Sequence, residues 1–214
     1  MNPSFPESSS SAPLSQPTPV PAPQQIRIPM PFLVPKVTYT IIGFTVFVYL
    51  LQMLSAGLGY SYNGVDLLEL YGARINQYIR AGELWRLITP VFLHGSIPHI
   101  FFNMYALFSI GSLLEKHFGH ARFALLYFLG AFSGNVFSFL LGQDNGYSVG
   151  ASTAVFGLIT AEIVFFYQNR KLFGSYARQA ITNTGIVIAL NLFISLTPGI
   201  DGWGHVGGLL GGAP

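Results

Sequence analysis

A succession of long, largely apolar segments separated by short polar ones constrains this chain more than any other feature. A helix needs about 20 predominantly apolar residues to cross about 30 Å of hydrocarbon. Segments near Val37–Leu58, Ile97–Leu114, Ala121–Leu141, Ser152–Tyr167 and Ala180–Thr197 meet that pattern, and a sixth begins near Trp203 and is cut off at Pro214. Only 8% of the 214 residues are charged against 51% hydrophobic, whereas a soluble domain carries about 25% charged residues. So few charges cannot solvate a water-facing surface around so much apolar material. The expectation is an all-α, polytopic membrane helix bundle with six transmembrane helices. From Trp203 the chain has about 18 Å of helix left, too little to cross, so either the sequence is a fragment with its sixth helix truncated, the favoured reading, or the protein is unusual.

Residues 1–36 differ in kind. The stretch MNPSFPESSSSAPLSQPTPVPAPQQ is rich in Pro and Ser and lacks the basic and apolar regions of a signal peptide. It cannot bury enough apolar surface to offset the entropy of ordering, and is expected to be a disordered cytoplasmic tail ahead of a membrane domain at 37–214. The chain has no Cys, which excludes disulfides and Cys-ligated metals. A net charge of +2 with scattered basic residues argues against nucleic acid as a partner. No cofactor is implied, and no signal for an oligomeric state is present.

With the N-terminus inside, Arg27, Lys36, Lys116, Arg122, Arg170, Lys171 and Arg178 fall on inner segments and Arg74, Arg80 and Arg86 on outer ones. That asymmetry follows the positive-inside rule. A prokaryotic plasma membrane is the expected location. The connection Gly59–Ser96 is long and mixed in polarity, and reads as short amphipathic helices in the outer interface, with an ordinary outer loop as the alternative.

Polar residues at membrane depth are costly and mark function or packing. In GASTAVFGL (Gly150–Leu158) Ser152 opens the fourth segment. Free N–H groups and a positive dipole end at a helix start suit a developing oxyanion. The bland reading is a small-residue seam that Ser152 caps, with Gly150 and Gly157 as packing positions. In WGHVGGLLGG (Trp203–Gly212) His205 is followed by Gly207, Gly208, Gly211 and Gly212, a face another backbone can approach. Packing that face on the fourth helix would bring His205 beside Ser152 as the base a weak hydroxyl nucleophile requires. In HGSIPHIFFNMYAL, His99 and Asn103 share a helical face as hydrogen-bond donors, with His94 nearby. A metal reading of the His pair lacks a third ligand and an HExxH motif, so no metal site is expected. Glu162 lies about 15 Å deeper than Ser152 and reads as a neutral carboxyl bonded to a neighbouring helix. His117 and His120 read as solvated loop residues.

Taken together these motifs resemble the rhomboid family over about Val37–Pro214. The matches are Gly150-Ala-Ser152 on the fourth helix, His94-x4-His99-x3-Asn103 on the second, His205 followed by glycines on the sixth, and Trp85-Arg86 in the first outer loop. The resemblance implies an intramembrane serine endopeptidase with a Ser152–His205 dyad. It implies an oxyanion hole of His99, Asn103 and the Ser152 N–H, in an active site opening to the outer side. Trp85, Arg86, His94 and Glu115 look like family positions, the last three holding the loop and second helix in place. The implied partners are transmembrane protein substrates and the lipid bilayer. Two residues depart from the family's pattern: Thr153 follows the serine where Gly is frequent, and Phe156 replaces the usual Tyr while still able to stack on His205. A catalytically silent rhomboid-like protein that binds membrane clients is the main alternative. A small transporter lacks supporting charges or repeats.

Overall fold

The structure, a computed structural model, describes residues 33–213. The expected tail lies outside the described residues up to residue 32. The architecture is all-α apart from two short two-stranded ladders. Among the described residues, three helices are long and apolar enough to cross a membrane: α1 (Lys36–Gly57), α4 (Ile97–Phe118) and α5 (His120–Leu141). Between α1 and α4 run the strands β1 (Ser61–Tyr62) and β2 (Val65–Asp66), helix α2 (Leu67–Gly72), strand β3 (Arg74–Ile75) and helix α3 (Asn76–Arg80). Strand β4 (Tyr147–Ser148) precedes the apolar helix α6 (Ser152–Gln168), followed by α7 (Arg170–Phe173), α8 (Ser175–Ile194) and α9 (Gly202–Gly211).

Local chemistry sets these boundaries. Asp66 starts α2 by accepting from the N–H groups of Leu68 and Glu69, and Ser96 starts α4 by accepting from His99 N–H. Gly119, at φ 80°, separates α4 from α5 in a single residue. The fifth apolar segment, expected near Ala180–Thr197, starts earlier at Ser175 and stops at Ile194. Gly174, at φ 55°, breaks the chain ahead of it, and the Thr197-Pro198-Gly199 turn follows. The long connection does carry short helices, and β3 pairs antiparallel with β4, Arg74 opposite Ser148. That ladder ties the connection to the strand that leads into α6.

The apolar core lies where α4, α5 and α6 meet. Phe123, Tyr127 and Ala131 of α5 and Ala154, Leu158 and Ala161 of α6 are buried together with Leu107 and Leu114 of α4. Glycine permits the close approach. A Cβ on Gly130 of α5 would lie 3.1 Å from the Gly157 Cα of α6. The glycine face of α9 packs on α6 as expected, and on α5 as well. A Cβ on Gly208 would strike the Thr153 carbonyl and Phe156 of α6, while one on Gly207 or Gly211 would strike Phe137 or Ser133 of α5. Successive glycines on a helix point about 100° apart, so a Gly-Gly pair serves two neighbours at once. Helix α9 is therefore a wedge between α5 and α6.

Candidate active site

The loop into α6 is held from several sides before Ser152 is reached. Gly150 has φ 123°, a region side chains rarely adopt, and a Cβ there would also collide with the His99 imidazole. Its N–H donates to the Pro90 carbonyl at 2.9 Å, and the Ala151 N–H donates to His94 Nε2 at 3.4 Å. His94 is buried and meets His99 edge-on, ring centres 5.0 Å apart. Ser152 is thus the first residue of α6, and its N–H belongs to the first turn, which has no carbonyl one turn earlier to bond.

His205, in the first turn of α9, brings its Nε2 to 3.0 Å from Ser152 Oγ. His205 is 8% exposed, and its ring stacks on Phe156 with centroids 4.3 Å apart and planes 19° from parallel. Phe156 lies one helical turn after Ser152, so one face of α6 presents both the hydroxyl and the platform for the imidazole. Gly208, one turn after His205, lets α9 come close enough for that contact.

Asp201 fixes the start of α9. Its carboxylate accepts from Gly204 N–H at 2.9 Å and Ser138 Oγ at 2.6 Å, and pairs with the buried Arg74 at 3.5 Å. Arg74 also donates to Ser148 and Asn76. Stripping water from the Arg74 guanidinium lowers its pKa, and the Asp201 carboxylate opposes that. The β3–β4 ladder, the α5 surface and the helix that carries His205 are thereby joined through one carboxylate.

His99 and Asn103 lie on α4 as expected, with His99 against Gly150. Asn103 is buried and donates one amide hydrogen to the His99 carbonyl at 3.0 Å, one turn back along its own helix. Its second amide hydrogen is left for another acceptor. In the connection, Arg86 is 1% exposed and donates to the carbonyls of Ala73 and Leu70 at 2.7 and 2.9 Å and to Glu83. Trp85 is 53% exposed and donates from Nε1 to the Tyr71 carbonyl.

Glu115, expected to hold the loop and the second helix, ties the second helix to the start of α1 and not to the loop. It is fully buried and accepts from Val37 N–H, Thr38 N–H and the Thr38 hydroxyl at 2.8, 2.7 and 2.6 Å, which caps the start of α1. Helix α1 has no cap of its own because Pro35 precedes it, so a carboxylate from α4 fills the gap. Of the two histidines expected as solvated loop residues, His120 opens α5 with its side chain 42% exposed, and its Nδ1 bonds Glu115. His117 lies in the last turn of α4 instead, where it bonds the Leu113 carbonyl at 2.7 Å and packs against Phe165 at 4.5 Å. Glu162 does reach a neighbouring helix, accepting from the Thr184 hydroxyl of α8 at 3.0 Å.

Sequence reasoning missed Ser195, whose Oγ stands 2.6 Å from His205 Nδ1. The short turn between the fifth and sixth segments was the available signal, because it forces the end of α8 to lie beside the start of α9.

A family model described as Rhomboid domain matches residues 81–213. Rhomboid protease GluP of Bacillus subtilis (strain 168) is 36% identical over 179 residues, covering 83% of this chain and 34% of that protein. RHOMBOID-like protein 9, chloroplastic, of Arabidopsis thaliana is 38% identical over 154 residues, 70% of this chain and 35% of its own length. Rhomboid-like protease 3 of Toxoplasma gondii is 35% identical over 177 residues, 81% and 66% of the two chains. The chain thus spans about a third of the length of the first two relatives. The matched domain takes in the Ser152 loop, α4, α6 and α9, and these helices carry the polar constellation just described. The chain belongs to the rhomboid family and is an integral membrane protein.

Proposed function

We propose that this chain is an intramembrane serine endopeptidase that cleaves transmembrane segments of other membrane proteins. The observation that carries the reading is the 3.0 Å approach of Ser152 Oγ to His205 Nε2 at the start of a buried helix. In the proposed reaction, Ser152 attacks the scissile carbonyl while His205 accepts its proton, then passes that proton to the leaving amine. The Ser152 N–H, His99 and the free amide hydrogen of Asn103 stabilise the oxyanion. Water, activated by the same histidine, releases the acyl group. The protease names of relatives from Bacillus subtilis and Toxoplasma gondii support this chemistry.

Helix length supports the depth. Helix α6 has 17 residues, about 25 Å, against about 30 Å of hydrocarbon. With Arg170 and Lys171 at the inner boundary, Ser152 stands about 5 Å below the outer one. The site then opens to the outer side. In this reading six helices span, the N-terminal side is cytoplasmic and the membrane is a prokaryotic plasma membrane. A substrate must present an extended stretch, because helical hydrogen bonds shield its carbonyls. Gly or Pro near the scissile bond should therefore favour cleavage over a poly-Leu helix.

The test is the purified full chain in lipid with a fluorophosphonate probe and a model transmembrane substrate, beside Ser152→Ala. Labelling and cleavage that both vanish in the variant are expected, since loss of a serine nucleophile costs on the order of 10⁶ in kcat in a well-studied protease. Substrate binding without labelling or cleavage by the unaltered chain would select the silent client-binding alternative.

A further inference from the structure

We infer that Ser195 is a positioning residue that holds neutral His205 in the tautomer with its proton on Nδ1, so that Nε2 faces Ser152 as a lone pair; this rests on the dyad reading of the site. Ser195 closes α8, and its Oγ lies 2.6 Å from the Asn191 carbonyl and 2.6 Å from His205 Nδ1. A serine hydroxyl has one proton, and a carbonyl oxygen can only accept. The proton therefore goes to Asn191, and Ser195 has only lone pairs left for the imidazole. Nδ1 must then carry the hydrogen, and the remaining ring nitrogen, Nε2, is the basic one.

A carboxylate would usually be sought in this role. The carboxylate that caps α9, Asp201, is committed to Gly204 N–H, Ser138 and Arg74 instead. An uncharged acceptor orients the ring as a carboxylate does but stabilises the imidazolium less. Loss of a productive tautomer is nonetheless expensive, about 10⁴ in kcat where the orienting carboxylate of a soluble triad becomes an amide. Ser195→Ala removes a neutral partner rather than installing a wrong one, so its effect is smaller, about tenfold, the equivalent of a single buried hydrogen bond.

The experiment compares the ring ¹⁵N spectrum of His205 and the cleavage kinetics in the full chain, Ser195→Ala, Ser195→Thr and Ser109→Ala. Ser109 makes the same backward bond to the Tyr105 carbonyl on an exposed face and serves as control. The unaltered chain and Ser195→Thr should show a protonated Nδ1 and an unprotonated Nε2. Ser195→Ala should shift population to the Nε2–H form and lower kcat about tenfold with KM within about twofold. Ser109→Ala should match the unaltered chain. A protonated Nε2 in the unaltered chain, or an unchanged tautomer and kcat in Ser195→Ala, overturns the inference. The tautomer is also read in Ser152→Ala, so the fate of the protease reading and that of Ser195 are separated: cleavage that persists without Ser152 sinks the former, and the ring spectrum alone decides the latter.

Discussion

Helices α8 and α9 are consecutive and joined by a short turn, yet they are held in opposite ways. Four of the ten residues of α9, Gly204, His205, Gly207 and Gly208, are buried, and its backbone touches those of α5 and α6. Of the twenty residues of α8, only Ala177 is buried, and Ile186, Val187, Leu190 and Phe193 point away from the protein. Its attachments are few and light: Tyr176 against Phe166, Ile188 on the edge of the core, and two polar pins, Thr184 to Glu162 and Ser195 to His205. His205, the proposed base, sits on the helix fixed by backbone contact, where displacement costs packing over its whole length. Ser195, the group inferred to orient it, closes the more lightly held helix. On that inference, placement of the imidazole is a packing property and its tautomer a polar one, and the two can be perturbed separately.

Breaking the packing side should have the largest effect. A Cβ on Gly208 would overlap the Thr153 carbonyl and press on Phe156, and both belong to the helix that carries Ser152. Gly208→Ala should push α9 outward and carry His205 with it. Overpacking of this kind costs about 1–3 kcal/mol, and an ångström of misplacement at a reacting group costs about 10²-fold in rate. A fall in thermal midpoint together with at least that loss of cleavage is expected. Unchanged activity in Gly208→Ala would show that α9 does not set the position of the base by contact. Phe156→Ala should act more mildly, since it removes only the stacking platform, worth about 0.5–1.5 kcal/mol. Cleavage should drop up to about tenfold, and Phe156→Tyr, which keeps the ring, should retain it. Equal loss in both variants would move the role of Phe156 from stacking to steric fit.

The same division explains what could be read from the sequence. Helical membrane character followed from apolar length and scarce charge, and Ser152, His205 and Phe156 followed from motif and helical spacing. The glycine run after His205 announced a close helix contact, but not that alternate glycines face different neighbours. That depends on the angular position of α9 between α5 and α6, which no single segment encodes. Glu115 reads from the sequence as a residue that holds the second helix, but its partner does not, because the deficit it fills belongs to a helix start 77 positions away. Ser195 and Asp201 lie beside the same turn, and nothing in their residue types says which one faces the imidazole. The geometry divides them: Asp201 takes the helix start and Arg74, Ser195 takes the ring.

The smallest effects should come from the middle of α8, where two adjacent residues probe the comparison in opposite directions. Thr184→Val removes the bond to Glu162 while keeping the side-chain shape. Interhelical hydrogen bonds in membranes average about 0.6 kcal/mol, so the thermal midpoint should fall by a degree or two at most. Gly185 has nothing within 4 Å of a would-be Cβ. Gly185→Ala should therefore be neutral or raise stability by up to about 1 kcal/mol through helix propensity, the reverse of the same change at Gly208. Cleavage in both α8 variants should stay within about twofold of the unaltered chain, because neither residue touches Ser195 or His205. A Gly185→Ala protein as damaged as Gly208→Ala would mean that α8 packs on a surface as closely as α9 does, and the contrast between a helix held by its backbone and a helix held by its pins would fail.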